Sequence, residues 1–398
     1  MAKSVSLVRN LSSKLLTYLI LGVTGILVLI PFLLAISGSV KTVDDVFTYP
    51  PRFLPYSATS VEIDGKEVPL FEIPMEDGSI GEFARVKQGV TVRQWVGIED
   101  PEVKFLAPKE QLQDTGKTIE LDGETVGVFS DAAGKSFANV GSAIVGAYQD
   151  ASDPSAPLYY APSADLKPVE SVSAEIGNFG EVLALNGFDR SITNTVLVTI
   201  LVVSGQLFTS ILGGYAFARL RFKGRDSIFL VWLGSIMIPF VVVIIPLFQL
   251  MVGIDWVNNL GSLVLPFVFS AYGTFLMRQF FVTIPKELEE AALIDGASRW
   301  TILWKIFVPL SIPAIATLTT FAFLYAWNSF LWPLIVIDSG NQAASVLAPA
   351  LSVLGGRGAD SPNLILAGII LAIAAPIAVF IFAQRAFVEN AQSSGLKG

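Results

Sequence analysis

Six stretches of this 398-residue chain contain no Lys, Arg, Asp or Glu and are each long enough to cross a bilayer as a helix: residues 15–36, 192–217, 228–252, 260–277, 312–337 and 364–382. A hydrocarbon layer about 30 Å thick needs roughly 20 apolar residues at a rise of about 1.5 Å each. A chain with six such runs has few choices. In lipid every backbone polar group must be satisfied internally, so the runs predict membrane helices. The composition agrees: 53% of residues are apolar, only 15% are charged, and the mean hydropathy is +0.62.

The net charge of −8 is the sum of two unlike regions. Residues 41–188 hold 24 acidic against 11 basic side chains, a net of −13, which leaves +5 for the rest of the chain. Short loops rich in Lys and Arg stay in the cytoplasm. Lys3, Arg9 and Lys14 precede the first run, Arg219, Arg221, Lys223 and Arg225 follow the second, and Arg278, Lys286, Arg299 and Lys305 follow the fourth. The connection around Asp255 has no basic residue. These signs predict six spans, both termini in the cytoplasm, and residues 38–187 outside. The first run, 22 residues long, exceeds the roughly 7–15 of a cleaved signal sequence, so the small residues Ala35 and Ser37 notwithstanding it is read as a retained anchor.

Residues 38–187 are expected to form an inserted, mainly β domain. Asp64-Gly65 and Asp122-Gly123 each lie between strand-like flanks, the pattern of a two-residue hairpin turn. The stretch 150–168, with four Pro, reads as a linker. Gly134-Lys135-Ser136 ends like a phosphate-binding loop, but the position that would need the first Gly is Phe129, so a surface turn is expected. The chain has no His and no Cys. That removes the usual general base and the usual metal ligands, and neither a catalytic residue nor a metal site is predicted.

Between the fourth and fifth runs, residues 284–300 are too polar to span. Pro285 suits a first helical turn, Glu287, Glu289 and Glu290 favour its positive end, and Gly296 is placed to stop the helix. Ser298 can cap a second helix, along which Trp300, Trp304 and Phe307 form an apolar edge before Pro309. A helix–turn–helix offering Leu288, Ala291 and Ala292 is a peg for another protein, or an amphipathic hairpin lying on headgroups. Glu290-Ala291-Ala292, three residues, Gly296, nine residues, then Ile306-Phe307-Val308-Pro309 resembles the EAA motif of ABC importer permeases, with Val308 in place of Leu. The stretches 215–225, 278–281 and 327–334 look like the MalG-like, carbohydrate-uptake branch of that family.

The resemblance covers residues from about 179 onward. It implies an all-α fold, six transmembrane helices of the type I (MetI-like) permease kind, in a bacterial inner membrane, with an unusually large insertion after the first helix. The domains it implies are 1–37, the first helix; 38–187, the insertion; and 188–398, the permease core with its coupling loop at 284–309 and a cytoplasmic tail. By the same resemblance, coupling to a separate ATPase falls to Glu290, Ala291, Ala292, Asp295, Gly296, Ile306 and Pro309. The partners implied are a second, MalF-like permease subunit, a MalK-like ATPase dimer that uses ATP and Mg, an extracytoplasmic substrate-binding protein, and lipid; the family pattern assigns the insertion no role, and its position and acidity suggest that it helps seat the binding protein. No cofactor is expected on this chain, and no nucleic acid as a partner.

Polar groups inside spans need partners, which draws notice to Gln206, Ser210, Asn328 and Ser329. Asn328, with Tyr325 and Trp327, could meet a sugar ring and its hydroxyls, or could hold helices together. An ion-coupled carrier would place acids in its spans, and none occurs here. A membrane-anchored sensor would need a cytoplasmic signalling domain, which the sequence does not offer.

Overall fold

The structure is a computed structural model that describes residues 2–395 apart from 64, 76–77, 122–123, 154 and 357–359. The predicted turn residues Asp64, Asp122 and Gly123 and the last residues of the tail, 396–398, lie outside the described residues. The chain forms two compact units: residues 1–53 with 175–398, and residues 54–174. The helical unit thus takes in 38–53 and 175–187, on both sides of the β unit in sequence.

The β unit is built on a long antiparallel pair, Ile80–Gly97 and Ser136–Asp150. Lys66–Pro74 extends the sheet on one side, Glu124–Ser130 and then Gln113–Leu121 on the other. The first hairpin closes with Ile63 opposite Lys66 and Gly65 at φ +74°, the left-handed turn that Asp-Gly predicts. Alternation along the strands sends Phe71, Ile73, Phe83 and Tyr148 into one core and Trp95, Phe129 and Phe137 into another. The buried Trp95 indole N–H finds the Ala107 carbonyl at 3.1 Å. The Gly134-Lys135-Ser136 stretch is a strand-to-strand turn. The N–H groups of Ala133 and Lys135 donate to the Asp131 carboxylate, both at 2.9 Å, so the donors a phosphate would need are taken.

Among the described residues of the helical unit four helices are long and apolar enough to span: Lys14–Ser39, Gly177–Arg219, Ile312–Val336 and Pro362–Phe382. The runs at 228–252 and 260–277 differ from the straight spans predicted. The first is Arg225–Met237 and Phe240–Gly253 meeting at 102°, the second Gly261–Phe267 and Ala271–Thr283 meeting at 41°. Pro239 explains the sharper bend. It has no N–H to continue the helix and forces Ile238 before it into an extended conformation, ψ 114°. At the gentler bend the freed carbonyls of Phe267 and Val268 accept from Gln206 Nε2 (2.8 Å) and Thr209 Oγ1 (2.6 Å) on the helix Phe188–Arg219. Gln206, which the sequence left needing a partner, thus satisfies backbone at a break, as lipid demands.

The helices Phe188–Arg219 and Ala271–Thr283 approach through small residues. A Cβ on Gly214 would lie 2.6 Å from Met277 Cβ and 2.9 Å from the Arg278 backbone N, and one on Gly273 would meet Ser210. At its far end the first helix packs on the last, with Gly38 against Leu366. There Asn178 donates to the carbonyls of Ser39 (3.0 Å) and Lys41 (2.9 Å) and accepts from Asn363 (3.0 Å). Lys41 pairs with Asp45 at 3.4 Å. This buried network fastens the segments that lead into and out of the β unit to the helical unit's own first and last helices.

Candidate coupling site

The segment singled out for coupling is the two-helix element the sequence predicts. Lys286–Ile294 is helical, Pro285 standing just before it. Gly296 follows at φ +81°. The Ala297 N–H reaches back to the Ala292 carbonyl (2.9 Å) and the Gly296 N–H to that of Leu293 (3.1 Å), the paired bonds of a Schellman motif. Ser298 caps the next helix by accepting from the Thr301 N–H at 3.1 Å. Glu290, Ala291, Asp295 and Gly296 are exposed, as are Leu288 and, at 87%, Ile294. An exposed turn with an apolar tip is a surface suited to a protein groove.

Two features depart from the sequence reading. Ala292 faces inward, half-buried against the core around Phe281 and Phe307, so the small face of the helix is Ala291 with Leu288 rather than all three. Trp300 and Trp304 share an edge, their rings 5.8 Å apart, but Phe307 does not join it. Residues Leu303–Phe307 make a π-helical turn, whose extra residue per turn shifts the phase of the helix and brings Phe307 into the core. There its ring meets Tyr215 (5.1 Å) and Phe281 (5.5 Å), while Trp304 stacks on Phe208 and Trp300 stays at the surface. Ile306 is half-buried and Pro309 exposed.

The sequence missed what holds the element in place. Glu289, adjacent to the motif's Glu290, is only 7% exposed. Its carboxylate forms an ion pair with Arg219 at 3.7 Å and a hydrogen-bonded pair with Arg299 across the turn. Arg219, the last residue of the helix Phe188–Arg219, also donates to the Phe281 carbonyl at 2.6 Å and to that of Ile284. Its guanidinium lies 4.9 Å from the centre of the Phe307 ring. Arg278 reaches back to the Phe217 carbonyl (3.4 Å) and sits over Phe229. The stretches 215–225 and 278–281, read separately as marks of the family, are thus one structural contact at the ends of two membrane helices.

The three residues grouped as a substrate path separate. Trp327 is buried, stacks on Phe323, and donates its indole N–H to the Ala372 carbonyl at 3.0 Å, so it joins helices. Asn328 stands at the break between Ile312–Trp327 and Leu331–Val336, where its amide donates to the Leu324 carbonyl at 2.8 Å. Tyr325 is half-exposed. It lines an open cavity of about 560 Å³ with Gln206, Ser235, Ser270, Tyr272 and Phe321, and its ring lies 5.8 Å from Phe267. A second cavity, which Tyr325, Trp327 and Ser329 also line, has about 20 Å³, room for little more than a water. The larger cavity has the aromatic faces and few polar groups of a small-molecule site.

Residues 191–392, just over half of the chain, match the family described as "Binding-protein-dependent transport system inner membrane component". The chain is 37% identical over 205 residues to the arabinooligosaccharides transport system permease protein AraQ of Halalkalibacterium halodurans, covering 52% of this chain and 73% of that one. It is 34% identical over 203 residues to the sn-glycerol-3-phosphate transport system permease protein UgpE of Pectobacterium atrosepticum, covering 51% and 72%. Among solved structures it is similar to a bacterial ABC transporter involved in the import of the acidic polysaccharide alginate, at 26% identity and a TM-score of 0.48, covering 55% of this chain and 81% of that one. The β unit falls outside the matched residues. The match takes in the exposed turn, its arginine anchors and both cavities, and by it the chain belongs to the family of binding-protein-dependent transport system inner membrane components.

Proposed function

We propose that the chain forms one half of the translocation path of an ATP-driven importer for saccharides or related polyol phosphates, with a second permease subunit as the other half. In this reading the two bent helix pairs each count as a span, giving six. Both termini and the turn at Gly296 face the cytoplasm, and the β unit lies outside. A dimeric ATPase grips the turn, closes on ATP, and its movement opens the path outward. The chain contributes no chemistry, since hydrolysis of ATP with Mg belongs to the partner. The substrate class is supported by what AraQ and UgpE carry in their names.

The observation that carries this reading is the exposed Schellman turn fastened to the ends of membrane helices through Arg219. The chain has no Cys, so single cysteines report cleanly. Ala291→Cys should react with an impermeant maleimide only in inverted vesicles and cross-link to the ATPase; Ile144→Cys, on an exposed β-unit position, should react only from the opposite side. Equal labelling of both from one side would overturn the topology, and absence of any ATPase adduct the coupling. The acidic β unit helps seat the substrate-binding protein. Replacing 54–174 by a short Gly-Ser linker should weaken binding-protein-stimulated ATPase activity, and undiminished stimulation would remove that role.

A further inference from the structure

Glu289 and Glu290 are neighbours on one helix, turned about 100° apart, and their surroundings differ completely. Glu290 is free in solvent, whereas Glu289 is buried between two guanidinium groups that come from different elements. Burying a carboxylate is costly unless it is paired, and removing one partner leaves an uncompensated charge inside. Arg219 gathers four elements at one guanidinium: the helix it ends, the carbonyls closing Ala271–Thr283, the Phe307 ring of the π turn, and Glu289 on the exposed helix. Arg299 ties Glu289 to the far side of the Gly296 turn, so both limbs of the element move with that carboxylate.

Resting on the coupling role proposed above, we infer that Glu289 is the positioning residue that transmits movement of the exposed turn to the membrane helices, while Glu290 and its exposed neighbours make the contact with the ATPase. Without the Glu289–Arg219 link, the turn is joined to those helices by covalent chain and apolar packing, which tolerate sliding. With it, displacement of the turn pulls on the ends of two membrane helices together. Docking and transmission are then separate properties of adjacent residues.

The test uses the whole importer, with its ATPase and binding protein, in lipid vesicles, and reads substrate taken up per ATP hydrolysed. Glu289→Gln should keep the ATPase dimer at wild-type stoichiometry while uptake per ATP falls about tenfold, a usual size for coupling between sites. Glu290→Gln should instead weaken capture of the dimer. A wild-type ratio in Glu289→Gln, or loss of the dimer from it, overturns the inference. Should Glu289→Gln misfold because Arg219 is left unpaired, the double variant Glu289→Gln/Arg219→Gln removes both charges. Its thermal midpoint should recover above that of either single variant, yet uptake per ATP should stay low. Recovery of both would mean that the pair only stabilises, and overturns the inference too. Failure of the wild-type chain to hold any ATPase would sink the coupling role itself, an outcome distinct from either.

Discussion

Replacing Gly296 tests the turn through its backbone alone. Gly296 sits at φ +81°, and a Cβ added there would have no atom within 4 Å, so a new side chain meets no obstacle inside the chain. The cost is then conformational. An L-residue in the left-handed region loses about 1–2 kcal/mol, with β-branched residues at the upper end and Asn tolerated best. Gly296→Ala should weaken the closed turn by about 1 kcal/mol and Gly296→Val by about 2 kcal/mol, the latter a shift of about 30-fold in its population. Gly296→Asn should stay near wild type. The turn lies outside the spans, so the amount of chain in the membrane should not change. Binding-protein-stimulated ATPase activity and uptake per ATP, measured in vesicles, should fall in the order Gly, Asn, Ala, Val. If Asn is as damaging as Val, bulk at the docked face is what matters and the backbone argument is wrong. A fully coupled Gly296→Val would show that the turn is not gripped at all.

Two further substitutions test the scaffold. Gly214→Ala places a Cβ 2.6 Å from Met277 Cβ and 2.9 Å from backbone at Arg278, so the two helices must separate; overpacking of this kind costs about 1–3 kcal/mol, and a lower thermal midpoint in detergent should report it, an unchanged one refuting the close approach. Gln206→Leu strips the Phe267 carbonyl of its donor at the 41° bend, with an expected loss of about 0.6–2 kcal/mol in the same measurement; an equal loss in Gln206→Met, of the same length but unable to donate, would support the hydrogen bond as the cause, and no loss in either would refute it.

What the sequence made legible is what depends on near neighbours. Gly296, Ser298 and the two-helix form of 284–300 follow from caps and turns spanning a few residues. The Asp-Gly hairpin at Gly65 is equally local. The six uncharged runs fall on the apolar helices, four of them long enough to span among the described residues, but hydropathy carries no direction, and so a run bent by 102° at Pro239 looked the same as a straight one. The role of Glu289 was hidden because its partner Arg219 is 70 residues away and each alone reads as something ordinary: a first-turn acid and a cytoplasmic loop charge. The inward turn of Ala292, three residues on from Glu289, shows that these two share the buried face, a phase the short helix was too polar to reveal. Tyr325, Trp327 and Asn328 were grouped by adjacency; a helix points neighbours apart, and only Tyr325 reached the larger cavity.

The packing of Gly38 on Leu366 also sets an order in time. The end of the first helix emerges from the ribosome about 325 residues before Asn363 completes the network that fastens its C-terminal end, a delay of about 15–65 s at usual rates of synthesis. Through that interval the whole of the β unit, residues 54–174, is made while the last helix is not yet there to pack on the first. In the finished chain no residue of its most apolar stretch is buried by protein. A segment obliged to wait so long for its partner must be at home in the bilayer unaided, and along residues 15–36 it carries no Asn, Gln or charge for a neighbour to satisfy.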